Sequence, residues 1–195
     1  MTAQTHASFG NGKARVARPA RTLDDLAKLA ARELREIYEG GTVPESLDVL
    51  DGDLVGRMLA VRKLDHGGPL RGIAALSRAT AFPWEGKSFR HDNETTGTGI
   101  NRVKLPGGTR KMFPFATRVG PSIVDDRETI ILDYDQPENP TAIRLIHDEI
   151  REVGGSAKRD AAEGNAPKLF LGPAALVRRF GRPTIVLWFA LDAAR

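Results

Sequence analysis

Thr184-Ile185-Val186-Leu187-Trp188-Phe189-Ala190-Leu191 carries apolar side chains on both faces of an extended chain. Alternation puts Thr184, Val186, Trp188 and Ala190 on one side and Ile185, Leu187, Phe189 and Leu191 on the other. A strand with one face in water is polar on that face, so this one needs an apolar partner on each side. A closed sheet meets the need if one face lines its interior and a helix covers the other. A parallel sheet buried on both faces would also meet it. The preceding chain decides between the two. Lys87–Arg90, Thr98–Leu105, Lys111–Val119 and Glu128–Asp135 are short runs with partial period-two alternation, separated by Gly, Pro, Asn and Asp. No helical pattern alternates with them, so the economical topology is antiparallel. Pro106-Gly107-Gly108 reads as a hairpin connection, and Pro114 demands a bulge or an edge within its strand. Closing a sheet of about seven or eight strands removes its exposed edges.

Two helices are expected beside this sheet, making the class α+β. The first spans Leu23 to Glu39, capped by Thr22, with Asp24 and Asp25 in its first turn and Gly40-Gly41 at its end. The second is inserted before the last strands. Asn139 caps it, Pro140 takes its first position, and Ile143, Ile146, Ile150 and Val153 form its stripe up to Gly154-Gly155. Shorter elements are a helical turn over Thr42–Leu47, a strand over Gly56–Arg62 and a helix over Pro69–Ala79. Residues 155–167 read as a surface loop. The final pair of strands is Lys168–Val177 and Thr184–Leu191, joined by a turn over Arg179–Pro183.

The charge is unevenly placed. The net charge of +4 resides in residues 1–21, which hold Lys13, Arg15, Arg18 and Arg21 and no acid. The remainder is balanced, so specific nucleic-acid binding is not expected. The first 21 residues read as a disordered basic arm and residues 22–195 as one domain. With no cysteine, disulfide scaffolds and thiolate chemistry are excluded. No apolar run is long enough to span a membrane, and the expected location is the cytoplasm.

Gly56-Arg57-Met58-Leu59-Ala60 and, after it, Phe82-Pro83-Trp84-Glu85-Gly86-Lys87-Ser88-Phe89 resemble the opening of bacterial lipocalin-like proteins of the GXWXG type. Met58 stands where that pattern has its first Trp, and Ala60 where it has its second Gly; Trp84, Gly86, Lys87 and Phe89 fit. Leu132-Asp133-Tyr134-Asp135-Gln136-Pro137-Glu138-Asn139-Pro140 and the closing Leu187–Leu191 are also similar to bacterial proteins without an assigned activity. The resemblance covers about 40 residues at the level of motifs. It implies a calycin-like barrel and a small apolar or amphipathic ligand, and it implies no reaction.

The candidate ligand-binding residues are Trp84, Lys87, Phe89, Asn101, Arg118 and Tyr134. Trp84 and Phe89 would cover an apolar ligand and Lys87 would meet a ligand carboxylate at the barrel mouth. Asn101 and Arg118 alternate with apolar neighbours, so an inward orientation would require a partner for each. Tyr134, in phase with Ile130 and Leu132, would bring a hydroxyl inside. The alternative reading is an enzyme on the same barrel, using Asp133 or Asp135 with Arg118 or Tyr134 for acid/base chemistry on a small organic substrate. His147-Asp148-Glu149 reads as a solvated helix face beside Arg144, Arg151 and Glu152. No cofactor and no metal is expected. The histidines lack ligand spacing, Gly97-Thr98-Gly99 lacks the third glycine of a dinucleotide loop, and Gly86-Lys87-Ser88 has Ala81 where a phosphate loop begins with glycine.

Overall fold

Eight strands hydrogen-bond in chain order, and the eighth returns to the first: β1 Gly52–Val61, β2 Trp84–His91, β3 Thr96–Leu105, β4 Gly108–Pro121, β5 Glu128–Asp133, β6 Ile146–Gly155, β7 Lys168–Leu176 and β8 Thr184–Asp192. Every neighbouring pair is antiparallel. The computed structural model describes residues 21–61, 83–155, 168–177 and 181–193. Residues 1–20, the expected helix over Pro69–Ala79, nearly all of the expected loop 155–167 and residues 178–180 lie outside them.

Closure runs through β8, whose Leu191 and Phe189 pair with Gly56 and Met58 of β1. Leu187, Phe189 and Leu191 pack into the interior with Leu54, Phe115 and Ile150. Trp188 and Ala190 face outward, beneath Leu23, Leu26, Leu34 and Tyr38. The two apolar faces of this strand therefore serve two cores. Two expected assignments shift: Val186 joins the interior and Ile185 packs with the outer core, because the β7–β8 register slips between Ala174 and Ala175. Pro106 and Gly107 form the two-residue turn between Leu105 and Gly108, with Gly107 at φ 95°. Pro114 sits at a bulge opposite Ile100 and Asn101, where the preceding Phe113 has φ 60°.

The first expected helix is two. Helix α1 covers Leu23–Leu26 and α2 covers Ala31–Glu39. Ala30 between them is extended (φ −74°, ψ 159°), and its N–H donates to the Glu33 carboxylate at 2.9 Å. Two short helices with a break bring Leu26 and Tyr38 onto a curved wall that one straight helix would leave. The turn expected over Thr42–Leu47 lies later, as a 3-10 turn over Leu47–Leu50. It seats Leu47 and Leu50 in the interior core beside the β2–β3 connection, with the Leu47 N–H donating to Glu94 O at 3.0 Å.

The second expected helix is absent. Only Ile143–Leu145 makes a 3-10 turn, and residues 146–155 are β6, paired with β5 on one side and β7 on the other. Ile146 and Ile150, four residues apart, share a face in a helix and in a strand alike. What distinguishes the two is residue 148, which a strand sends to the same side as both isoleucines. Asn139 does not cap a helix; its side-chain NH2 donates to Pro114 O at 2.7 Å and Tyr134 O at 2.8 Å.

On the outer side of β6, Glu149 is fully buried. Its carboxylate accepts from Tyr38 OH at 2.7 Å, Ser122 Oγ at 2.6 Å and the Ile123 amide at 2.8 Å, and His147 Nε2 lies 2.9 Å away. Two residues on, the Arg151 guanidinium grips Asp125 at 2.7 and 2.9 Å and lies 4.4 Å from the centre of the Tyr38 ring. This cluster clamps α2 and the 122–127 loop to the barrel wall.

Two predictions follow from this packing. A Cβ at Gly172 would overlap the Glu149 carbonyl oxygen across the β6–β7 ladder; Gly172→Ala is expected to cost about 3 kcal/mol in urea unfolding. Burial pushes the Glu149 carboxyl up, but its hydrogen bonds from His147, Ser122, Ile123 and Tyr38 outweigh burial and hold it below the ordinary value of 4.5. Hydrogen bonds from Arg151 hold Asp125 far below its ordinary 3.8. Both groups bind protons less readily when folded, so their stabilisation is complete above these ordinary values and is lost as pH falls through the folded ones. Urea midpoints measured between pH 7 and pH 2 should fall on the acid side, and Glu149→Gln should flatten that decline.

Candidate functional site

The interior face of β2 brings Lys87 inward, that of β3 brings Asn101, and that of β6 brings Asp148; Tyr134 follows directly after β5. All four are buried. Lys87 Nζ donates to Asn101 Oδ1 and to Asp148 Oδ2, each at 2.9 Å, and to the Tyr134 hydroxyl in a very short contact. The Tyr134 hydroxyl donates to Asp148 Oδ2 at 3.2 Å and accepts from Asn101 Nδ2 at 2.9 Å. Asn101 Nδ2 also donates to Phe113 O at 3.2 Å, and Asn101 Oδ1 accepts from the Trp84 indole at 3.1 Å. The three N–H groups of the ammonium, both amide ends of Asn101 and the tyrosine hydroxyl are thereby satisfied. One atom is not. Asp148 Oδ1 is buried and has no hydrogen-bond partner among the described residues.

Beside this cluster lies a cavity of about 80 Å³ whose walls include Trp84, Lys87, Asn101, Tyr134 and Asp148. Its remaining lining is apolar, with Met58, Phe113, Ile143, Ala174, Leu187 and Phe189 contributing. The ammonium is ringed by aromatic groups, its nitrogen lying 5.1 Å from the ring centres of Phe115, Tyr134 and Phe189 and 5.5 Å from that of Trp84. Burial pushes the Lys87 ammonium down, and the Asp148 carboxylate opposes this without cancelling it. Burial, followed by the Asp148 charge, pushes the Tyr134 hydroxyl well up, so it stays protonated.

Two glycines shape the wall that carries Lys87. Gly86 has φ 140°, and a Cβ there would overlap the Leu54 carbonyl. A Cβ at Gly56 would come 2.5 Å from the Trp84 ring. Gly56 of β1 thus packs against Trp84 and Gly86 of β2, and Met58, two residues on, lines the cavity.

Of the six candidate residues, Trp84, Lys87, Asn101 and Tyr134 come together. Phe89 is buried one layer away, edge-on to Phe115 at 5.4 Å, and Phe115 in turn packs on Tyr134 at 5.2 Å. Arg118 is exposed, on the opposite face of β4 from the inward Phe115, and stands apart from the cluster. The carboxylates of the acid/base alternative do not converge either. Asp135 is exposed and paired with Arg144 at 2.5 Å, and Asp133 lies opposite His147 and accepts from the Asp135 amide at 2.9 Å. Asp148 and Glu149, expected in solvent on a helix, are buried at 4% and 0% exposure. The Ile146–Asp148–Ile150 alternation was the available signal, masked by a spacing that fits a helix equally well. Among the described residues no helix is long and apolar enough to cross a membrane.

Removing one partner of a buried ion pair leaves the other uncompensated. Lys87→Met is expected to destabilise the fold by about 3–5 kcal/mol. The double variant Lys87→Met/Asp148→Leu should regain most of that loss in the same urea titration. No protein-family model matches the chain, and no curated protein or solved structure matches it.

Proposed function

We propose that the barrel binds a small, largely apolar molecule carrying one neutral hydrogen-bond donor, held in the cavity beside Lys87 and Asp148. The observation that supports this most is that Asp148, one of the residues lining the cavity, keeps a buried carboxylate oxygen, Oδ1, without a donor. A buried carboxylate oxygen without a donor is costly, and a guest hydroxyl or amide would supply one. The expected pairing of Lys87 with a ligand carboxylate finds no support, since its three N–H groups already have acceptors. A second negative charge beside Asp148 would also be buried without a counter-ion. A cavity of about 80 Å³ holds roughly three non-hydrogen atoms, at the ~25 Å³ per atom of a ~150 Å³ cavity filled by benzene, and it is open on one side, so the tail of a longer guest extends outward.

The acid/base alternative, Asp133 or Asp135 with Arg118 or Tyr134, has no such support: Tyr134 lines the cavity, but neither carboxylate nor Arg118 is among its lining residues. Hexan-1-ol is a suitable probe. Roughly three buried methylene-sized groups at ~0.8 kcal/mol each give ~2.4 kcal/mol, hence a Kd of ~20 mM. Titration followed by amide NMR should give saturable shifts at residues of β2, β6 and β8, with hexanoate far weaker. Ala174→Phe, which fills the cavity from β7, should abolish the shifts. Shifts that do not saturate, or that survive Ala174→Phe, would overturn the reading.

A further inference from the structure

We infer that Lys87 is a carbonyl-trapping amine, which condenses with an aldehyde guest in the barrel cavity to form an imine. The inference rests on the proposed binding of small guests in that cavity; an aldehyde brings no donor of its own, and the hydroxyl of the carbinolamine it forms is the donor to Asp148. Imine formation needs four things in one place: an amine that can give up its proton, a group to take it, a protonated group at the carbonyl oxygen, and little water. Lys87 is one of the residues lining the cavity, and Asp148 Oδ2 stands 2.9 Å from its Nζ to take the proton. The Tyr134 hydroxyl touches both groups. The apolar lining and the ring of aromatic side chains limit water around the nitrogen. Burial also favours the unprotonated amine, a secondary support.

The reaction balances without any added oxidant or reductant. Nζ passes a proton to Asp148, and its lone pair forms a bond to the carbonyl carbon while the C=O π pair moves to oxygen. Asp148 returns the proton to that oxygen, giving a carbinolamine whose hydroxyl can donate to the free Asp148 Oδ1. A second proton leaves nitrogen for Asp148 and is delivered to the hydroxyl. The C–O bond breaks, water departs, and the nitrogen lone pair completes the C=N bond. Lysine ammonium and aldehyde become protonated imine and one water, with Asp148 ionised again. Tyr134 holds the nitrogen and the carboxylate in register through its hydroxyl.

Hexanal, whose aldehyde group and first carbons fill the cavity while its tail extends through the open side, is the probe. The full-length chain is incubated with it and cyanoborohydride at pH 7, then read by intact mass and peptide mapping. The expected result is one hexyl group on Lys87, in about tenfold or greater excess over exposed Lys28, Lys104 and Lys111, since only an unprotonated amine attacks. Ala174→Phe should remove labelling at Lys87 and leave the exposed lysines unchanged, and hexan-1-ol should protect Lys87 in proportion to its occupancy. Asp148→Asn should slow labelling and change its pH profile. Labelling of Lys87 no greater than that of the exposed lysines, or indifferent to Ala174→Phe, overturns the inference. If hexan-1-ol binds saturably while hexanal leaves Lys87 unmodified, the amine chemistry fails and guest binding stands. If neither occurs, both fall.

Discussion

The Lys87–Asp148 pair spans the barrel interior from β2 to β6, and the other interior polar groups are arranged around it. Two charges taken out of water cost several kcal/mol each, and their mutual attraction repays this only when the remaining hydrogen-bonding capacity is also filled. Here Asn101, Tyr134 and Trp84 do the filling: one amide oxygen takes both the indole and the ammonium, and one hydroxyl joins lysine, amide and carboxylate. Aromatic faces within about 6 Å add favourable field at the nitrogen. The cluster is neutral overall and complete except at Asp148 Oδ1.

Such a cluster restricts what surrounds it. Trp84 can lie over β1 only because residue 56 has no side chain, and β2 can approach Leu54 only because residue 86 has none and takes a positive φ. Phe115 supports the Tyr134 ring from behind and is itself supported by Phe89. The aromatic layer thus packs like any core, and its edge carries the polar groups. The cavity is a place where this packing stops short, bordered by Ala174 on β7, whose small side chain leaves the space open.

Barrel closure could be read from β8 because two apolar faces on one strand have few physical solutions. Pro106-Gly107 and Pro114 could be read because each restricts the backbone directly. Trp84, Lys87, Asn101 and Tyr134 were recognisable as polar or amphipathic groups in apolar surroundings. Arg118 was not separable from them, since alternation leaves open which face is inward and the bulge at Phe113–Pro114 resets the phase. Asp148 and Glu149 were hidden for a different reason. A helix and a strand both align Ile146 with Ile150, and the favourable charge spacing around them imitates a solvated helix. Only the ladders to β5 and β7, made by residues distant in sequence, choose the strand.

That choice makes β6 polar on both faces and buried on both, and it ties the outer cluster to the inner one. A slip of one residue would send Asp148 out and Glu149 in, parting Lys87 from Asp148 and Tyr38 from Glu149. Two features oppose the slip. Glu149 is held by Tyr38, Ser122 and the Ile123 amide, and Arg151 by Asp125, all from segments outside the β5–β6–β7 ladder. Gly172 admits the Glu149 carbonyl so closely that any side chain at 172 would have to push the β6 backbone away. The clamp on α2 therefore does more than attach a helix to a wall. By fixing which residue of β6 faces outward, it fixes which carboxylate faces Lys87, and the chemistry of the cavity depends on a contact made on the other side of the strand.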